Sequence, residues 1–177
     1  KIDSTITVEV FLTGELPADY KKLSIATNDI LASFNNHANN QIRIVFRNPG
    51  EDLASDTAKA ILYDSLQKMG VVFEQASVEQ SAGDATLNQL IIPTALVYYQ
   101  KNQLPIAVDL RSSRKIYKQF NVLTEEPQED VEATRNAAEA LLENKFATAI
   151  DKLIRKEVPT IAYVVGNGEP TDLTVND

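Results

Sequence analysis

The sequence predicts an α/β domain in which a mixed sheet is flanked by helices. A strand, helix, strand unit opens the chain, two strands joined by a tight turn follow near residue 100, and a long amphipathic helix comes after residue 130. A helix between two strands provides the crossover that parallel pairing needs, whereas a tight turn joins antiparallel strands. Both kinds of pairing are therefore expected in one sheet.

The opening unit has the clearest pattern. Residues 5–12 alternate polar and apolar side chains, which is the period of a half-buried strand, and residues 41–46 repeat the alternation. Between them, apolar residues recur at helical spacing from Pro17, a residue favoured in a first helical turn, to an Asn-rich end at residues 35–40. These segments predict a strand, a helix and a second strand parallel to the first.

A second helix is predicted to begin at Ser55 or Asp56, either of which can cap it, and to end at Gly70 in a left-handed turn. The polar residues 74–88 that follow it predict an irregular excursion, with a hairpin that returns through residues 90–92.

After Pro93, residues 94–99 are the most strand-like in the chain, and residues 104–110 complete a predicted hairpin. Residues 112–120 then predict a short closing helix.

The last third of the chain predicts a linker and a long helix. Residues 125–130 are acidic and contain a proline, whereas residues 131–156 carry one broad apolar face without glycine or proline. Residues 160–165 predict a buried strand that runs into a glycine turn. We therefore expect a first domain over residues 1–124, then a linker, the long helix and the first strand of a truncated second α/β domain over residues 125–177.

Composition excludes several kinds of chemistry. The chain has 177 residues, a formal net charge of −8, no cysteine and one histidine. Disulfides, thiolate nucleophiles, cysteine zinc sites and all-histidine metal clusters are therefore excluded within one chain. A negative surface repels nucleic acid and anionic lipid, so proteins are the expected partners. No stretch approaches the ~20 apolar residues of a membrane span, and we expect any signal or anchor to lie outside these residues.

Without the excursion, the order strand, helix, strand, helix, Pro93, strand, turn, strand, short helix resembles the thioredoxin fold. Residues 92–99 (IPTALVYY) resemble the segment in which thioredoxins place a cis-proline before a central antiparallel strand, which implies a cis Ile92–Pro93 bond. In thioredoxins the reactive cysteines lie between the first strand and the first helix, where this chain has residues 13–17 (TGELP). A redox enzyme is therefore excluded.

A closer resemblance covers nearly the whole chain. Residues 6–14 (ITVEVFLTG), 43–49 (RIVFRNP), 92–99 and 160–169 (TIAYVVGNGE) are similar to the extracytoplasmic region of the GldG-type gliding-motility ABC-transporter auxiliary proteins of Bacteroidetes. The resemblance implies a non-catalytic component on the periplasmic side of the inner membrane, anchored by segments outside these residues. Its implied partners are the ABC permease and ATPase subunits of the same complex.

The glycine turn at Gly166 and Gly168 has two interpretations. Glycines after a strand let backbone N–H groups approach a phosphate, but the turn lacks the lysine and the third glycine of a phosphate-binding loop. A tight turn that leads into the second domain is therefore favoured. Proteins of the GldG type typically have a Gly-His-Gly-Glu-like turn here, and Asn167 before Gly168 and Glu169 means that no histidine role carries over.

Two other groups are weak ligand candidates. His37 lies at the Asn-rich helix end, where a solvated or capping side chain is favoured over a ligand or a base. The acidic residues 125–130 lack the spacing of a calcium loop, which favours a solvated linker and helix start. No cofactor and no metal are expected.

The remaining candidates are interface residues. Arg111, Arg114 and Lys115 form the only local concentration of basic residues, which either meets an acidic partner or compensates charge on an acidic surface. Tyr98 and Tyr99 are neighbours on a strand and face opposite sides, so one is expected in the core and the other at an interface or on the sheet surface.

No recognisable acid/base constellation accompanies these residues, so the expected function is protein–protein interaction and not catalysis. Self-association is an additional possibility for the same surfaces. The alternative is a periplasmic solute- or sugar-binding domain that uses a cleft near Pro93.

Overall fold

The structure, a computed structural model, describes residues 4–79, 86–100, 103–118 and 127–155. The elements in these ranges are β1 (Ile6–Val10), α1 (Ala18–His37), β2 (Ile42–Phe46), α2 (Asp56–Lys68), β3 (Glu74–Glu79), β4 (Thr86–Ile91), β5 (Thr94–Tyr98), β6 (Ile106–Asp109) and α3 (Val131–Ile154). The predicted strand, helix, strand opening, the second helix and the long last helix are confirmed.

One four-stranded sheet forms the centre of the domain, in the order β2, β1, β5, β6. β1 pairs parallel with β2 and antiparallel with β5, and β5 pairs antiparallel with β6. β5 is therefore the central antiparallel strand of the thioredoxin-like mixed sheet that the sequence predicts. Strands β3 and β4 pair with each other in a separate two-stranded hairpin.

Helices α1 and α3 cover one face of the sheet. Alternate side chains of β1, namely Ile6, Val8 and Val10, are buried in this layer together with Leu31 of α1. The buried residues of α3 lie in the same core: Ala138, Leu142, Phe146, Ala149 and Leu153. The long helix that the sequence analysis assigns to residues 125–177 thus shares a core with the residues that precede it.

Helix α2 covers the opposite face with a smaller apolar cluster. Its buried members come from α2 and the segment that follows it, from the residues just after β1 and β4, and from β5: Phe11, Leu66, Val71, Ile92 and Leu96. The rings of Tyr63 and Phe73 pack beside this cluster, with their centroids 5.3 Å apart. The sheet is therefore buried on both faces, but unequally.

Local chemistry explains where the second and third helices begin. The Ser55 side chain accepts a hydrogen bond from the Ala58 amide at 3.5 Å, and the Asp130 side chain accepts one from the Ala133 amide at 3.0 Å, so both helices have an N-cap. Gly70, with φ of +88°, follows the end of α2 in the left-handed conformation that favours glycine.

The expectation of an irregular excursion over residues 74–88 is wrong in part. A regular ladder pairs β3 with β4 from Glu74 opposite Ile91 to Glu79 opposite Thr86. The expected hairpin is present, but its first strand, β3, already begins at Glu74, within the segment predicted to be irregular. Ladder hydrogen bonds join backbone groups, so a strand can form without the apolar alternation on which the prediction depends.

The expectation of a short helix over residues 112–120 is wrong for its described part, which is not helical as far as residue 118. The Ile116 amide donates to the Thr134 hydroxyl at 2.9 Å, and the Asp130 amide donates to the Ile116 carbonyl at 2.8 Å. The start of α3 therefore binds the backbone groups that a helix would have needed for itself.

The thioredoxin resemblance implies a cis Ile92–Pro93 bond, whereas the sequence alone leaves the isomer open. The bond is trans, since the described residues contain no cis peptide bond. Pro93 is buried, and its carbonyl accepts a hydrogen bond from the Leu110 amide at 2.9 Å. The Thr94 amide donates to the Ile92 carbonyl at 2.8 Å, which closes a tight three-residue turn around a trans proline.

Candidate binding cleft

A cleft of about 450 Å³ lies at one end of the sheet. Its walls are the first turns of α1 and α3, the first residue of β3 and the loop that follows β6. Because β1 and β6 both run antiparallel to β5, their C-terminal ends lie at the same end of the sheet. The cleft is therefore beside the corner where β1 leads into α1, which is the corner that holds the cysteines in thioredoxins.

A chain of charged hydrogen bonds lines the inner wall of the cleft. The Tyr20 hydroxyl of α1 donates to Oε2 of Glu74 at 2.5 Å, and the Arg111 guanidinium pairs with the other oxygen of Glu74. Arg111 also donates through Nε and Nη2 to the Asp109 carboxylate, at 3.0 and 2.8 Å. One arginine thus joins two carboxylates and, through Glu74, a tyrosine.

The pKa values of Tyr20, Arg111 and Asp109 in this network are all shifted further from pH 7 than their ordinary values. Burial and the hydrogen bond to Glu74 raise the pKa of Tyr20 well above its ordinary value. The hydrogen bonds to Asp109 raise the pKa of Arg111. Burial alone would raise the pKa of Asp109, but the hydrogen bonds and charge of Arg111 outweigh it and hold that pKa below its usual value. These three groups therefore keep their charge states near neutral pH.

Lys145 of α3 lies behind the network. Its Nζ donates to the Asp109 carbonyl at 2.7 Å and also to the Arg111 carbonyl. Burial lowers the pKa of Lys145. The lysine fixes the backbone of the loop that carries Arg111, and so it positions the guanidinium from the third helix.

Arg135 forms the side of the cleft between the two helices and is only 10% exposed. Its guanidinium donates to the Asp19 carboxylate of α1 at 3.1 Å. Its Nε lies 3.2 Å from a Glu139 oxygen, at an angle that makes an ion pair but not a hydrogen bond. Arg135 of α3 therefore holds the N-terminal turn of α1 next to that of α3 through its ion pair with Asp19.

The rim of the cleft is more exposed. Lys115 pairs with Glu129 at 2.8 Å, and the hydrogen bond to that carboxylate raises the lysine pKa. The exposed Arg114 side chain has no ion pair with any described residue. The described lining carries a net charge of +1, from four cations and three carboxylates: Arg111, Arg114, Lys115, Arg135, Asp19, Glu74 and Glu129.

The structure brings some of the predicted site residues together. Arg111, Arg114 and Lys115 all line the cleft, but Arg111 is held by two carboxylates and is not part of a free basic patch. Tyr98 and Tyr99 lie on opposite faces of the sheet, as predicted, but both are half-buried against an apolar cluster, so the expected division into one core and one surface tyrosine is wrong. The Tyr98 hydroxyl donates to Glu9 at 3.4 Å, and burial raises the Tyr98 pKa.

Other predicted residues lie elsewhere. Gly166, Gly168 and Glu169 fall outside the described residues. His37 is exposed at the end of α1, where its Nδ1 lies 2.7 Å from the Ser33 carbonyl, which confirms a local capping contact. The described part of the chain contains no group of three or more residues that could hold a metal ion. None of its helices is long and apolar enough to cross a membrane.

Sequence reasoning missed six residues of the site: Asp19, Tyr20, Glu74, Asp109, Arg135 and Lys145. Tyr20 and Glu74 meet across 54 residues of chain, and no local pattern indicates such a contact. Lys145 does carry a signal, because it lies next to Phe146 and three residues after Leu142, at the edge of the apolar face of a helix. A lysine at such a position is expected to reach a polar partner.

Fold and site together define an α/β domain of thioredoxin-like topology whose corner cleft is lined by paired charges. The model of the family described as Domain of unknown function (DUF7088) matches residues 1–98, more than half of the chain, and the chain therefore belongs to this family. A search of curated proteins found no match. A search of solved structures found none either.

Proposed function

We propose that this protein is a non-catalytic binding component of an extracytoplasmic ABC transporter complex of the gliding-motility type. Its partners are the permease and ATPase subunits of that complex, and it lies on the periplasmic side of the inner membrane, anchored by segments outside residues 1–177. The resemblance of residues 6–14, 43–49 and 92–99 to GldG-type proteins supports the assignment to this complex.

The observation that supports the non-catalytic part is that the titratable groups of the cleft are hydrogen-bonded to one another or to backbone carbonyls, and their pKa directions agree with this. A general acid or base works best with a pKa near the operating pH. Tyr20, Arg111 and Asp109 are each shifted away from that range. Lys145 is shifted towards it, but its Nζ donates to two backbone carbonyls and supports the loop. The network is suited to hold a shape that a partner recognises.

Co-purification of the membrane-anchored, full-length protein with its permease and ATPase tests the proposal. We expect the three proteins to elute together in detergent at near-equal amounts. A membrane protein of similar size from an unrelated complex is the control. Separation of the protein from both transporter subunits under conditions that keep the permease and ATPase together would contradict the proposal.

The second candidate is a periplasmic solute- or sugar-binding domain. The sequence analysis places its site near Pro93, but Pro93 is buried and does not line the cleft between α1 and α3, whose size favours this candidate. A volume of about 450 Å³ is within the range of small-ligand pockets. A ligand at a hundred times its dissociation constant stabilises a protein by about 2.7 kcal/mol, which raises the thermal midpoint of a domain this size by roughly 5–11 °C. A panel of sugars, amino acids and organic acids should show such a shift if this function is right, and Arg114→Gln should reduce the shift for an anionic ligand.

A further inference from the structure

The two outer strands of the main sheet, β6 and β2, differ in whether the backbone groups on their free edges have hydrogen-bond partners. At β6 the Leu110 amide donates to Pro93 on the β5 side, so the Asp109 and Arg111 carbonyls, one residue away on either side, point outward. Lys145 Nζ binds both of these carbonyls. A short strand with a lysine across its carbonyls is a known protection against pairing with another chain. Lys145 therefore blocks the C-terminal end of the β6 edge, whereas the outward amide and carbonyl of Ala107 have no partner among the described residues.

The β2 edge is built differently. On the β1 side, the Gln41 carbonyl accepts from the Ile6 amide at 2.9 Å, and the Arg47 amide donates to the Val10 carbonyl at 3.1 Å. Gln41 and Arg47 flank β2, so the odd-numbered residues of this segment direct their backbone groups towards β1. The even-numbered residues alternate with them and direct their backbone groups outward. The outward row therefore consists of Ile42, Ile44 and Phe46.

Only one amide of this row is bound within the described part of the chain. The Asn35 side chain accepts a hydrogen bond from the Ile42 amide at 2.8 Å. The amides of Ile44 and Phe46 have no partner among the described residues. An edge with unpaired N–H and C=O groups is a template for an added strand.

The charge of this edge indicates what kind of strand fits it. Arg43 and Arg47 project from the same face of β2. Arg47 pairs with Glu9 at 2.7 Å, whereas the exposed Arg43 makes no hydrogen bond or ion pair with its side chain inside the described ranges. Although the chain has a net charge of −8, Arg43 is therefore an unpaired cation, among the described residues, beside an open row of backbone donors and acceptors.

We propose that the outer edge of β2 binds an extended acidic segment of a partner protein, which adds as a strand beside Ile42–Phe46 and places a carboxylate opposite Arg43. Backbone hydrogen bonds supply the affinity in such strand addition, and the side-chain pairs supply the preference. This inference rests on the proposed function, because it names the surface that the partner uses.

A second copy of the chain fits this edge poorly. Antiparallel pairing of two β2 strands about Ile44 would bring Arg43 of one copy diagonally next to Arg43 and Arg47 of the other. Two chains of charge −8 would also repel each other as they approach. The same arginine that attracts an acidic strand therefore selects against self-pairing.

Two synthetic peptides test the proposal on the full chain. The acidic probe is acetyl-TVEVTVEVT-amide, and the control probe, acetyl-TVKVTVKVT-amide, differs only in the sign of its charges. Residue-resolved hydrogen exchange by NMR should show that the acidic probe slows exchange of the Ile44 and Phe46 amides. The basic probe should bind about fivefold more weakly or worse. An acidic probe N-methylated at alternate residues should not bind, because it cannot complete the ladder.

Charge reversal on the protein gives the matched comparison. Arg43→Glu should invert the preference between the probes, whereas Lys22→Glu, the same change on the exposed side of α1, should leave it as in the wild type. Equal binding of both probes, or protection at β6 or the cleft in place of β2, would overturn the inference. A dimer that protects the Ile44 amide without any probe would overturn it in favour of a second copy.

Co-purification with the transporter subunits separates this inference from the proposed function. If Arg43→Glu weakens a complex that the wild type forms, both are supported. If the variant complex is as stable as the wild type, the β2 inference fails and the proposed function stands. If the wild type forms no complex but its edge still prefers the acidic probe, the proposed function fails alone.

Discussion

The two helical layers of this domain differ in what they contribute. On one face, α1 and α3 pack together and against β1, β5 and β6, and they also supply Tyr20 and Arg135 to the cleft, while Lys145 supports its Arg111 loop from behind. On the other face, α2 packs over a smaller cluster that includes Leu66. Regions with fewer buried apolar contacts open at lower free energy. The comparison indicates that the α1/α3 layer carries both global stability and the cleft, whereas the α2 layer opens locally.

The largest expected effect is at Phe146, which is fully buried at the centre of the α1/α3 layer. Phe146→Ala should lower the free energy of unfolding by about 3–5 kcal/mol, because it removes a large side chain from a close-packed core. Urea denaturation followed by circular dichroism measures the loss. A loss of less than about 1 kcal/mol would break the comparison, since the α1/α3 layer would then not be the main source of stability.

A smaller effect is expected at Leu66 on the other face. Leu66→Ala should cost about 2 kcal/mol, the low end of the range for a buried leucine, because the cluster around it is small and can relax. Hydrogen exchange should become faster in α2 and remain as in the wild type in α3. If α3 exchanges faster to the same extent, the two layers form one cooperative unit and do not open separately.

The charge network comes next. Glu74→Gln replaces the carboxylate that joins Tyr20 to Arg111 and should lower the free energy of unfolding by about 1–2 kcal/mol, since the Glu74 side chain is only 26% exposed. Tyrosinate absorbance gives a second readout, because the Tyr20 pKa should fall towards its ordinary value of 10.0. Glu51→Gln, at an exposed position, is the matched control and should change neither quantity.

The helix caps allow a direct comparison of the layers. Asp130→Ala removes a 3.0 Å cap at the start of α3 and should cost about 1 kcal/mol, whereas Ser55→Ala removes a longer 3.5 Å cap of α2 and should cost about 0.5 kcal/mol. Thermal unfolding of the two variants side by side measures the difference. Equal losses would show that the cap distances do not report cap strength here.

The smallest effect expected is the contribution of Asp109 to stability in acid. Its pKa is below the ordinary 3.8 in the folded protein, so its stabilisation is present above the unfolded pKa and is lost as the pH falls through the folded value. Asp109 is 41% exposed, which weakens the effect by solvent screening. Asp109→Asn should therefore make stability depend less steeply on pH below about pH 4. If the dependence of stability on pH in this acid range is the same in the variant and the wild type, the lowered pKa assigned to Asp109 is contradicted.

Local patterns were enough to predict the fold. The alternation in β1 and β2 and the helical spacing of α1 and α3 reflect burial, which a sequence records directly. The hairpin of β3 was placed too late because its strands form a ladder from polar residues. The thioredoxin comparison predicted the position of β5 correctly but the proline isomer wrongly.

The cleft could be predicted only in part. Arg111, Arg114 and Lys115 are adjacent in sequence and were recognised as a cluster. Their partners are distant, since Glu74 lies 37 residues before Arg111 and Lys145 lies 34 residues after it. Whether a cation is free or paired depends on such long-range contacts, and one sequence does not report them.

The partly blocked β6 edge also sets a limit on assembly. Polymerisation by strand pairing requires each molecule to accept a neighbour on both sides of its sheet. Here Lys145 binds the outward carbonyls of Asp109 and Arg111 on the β6 side, so the C-terminal end of that edge does not accept a strand. Growth of a continuous sheet by pairing the β2 edge of one molecule with the β6 edge of the next is therefore restricted to the short part of β6 that Lys145 leaves uncovered, which works against fibre formation.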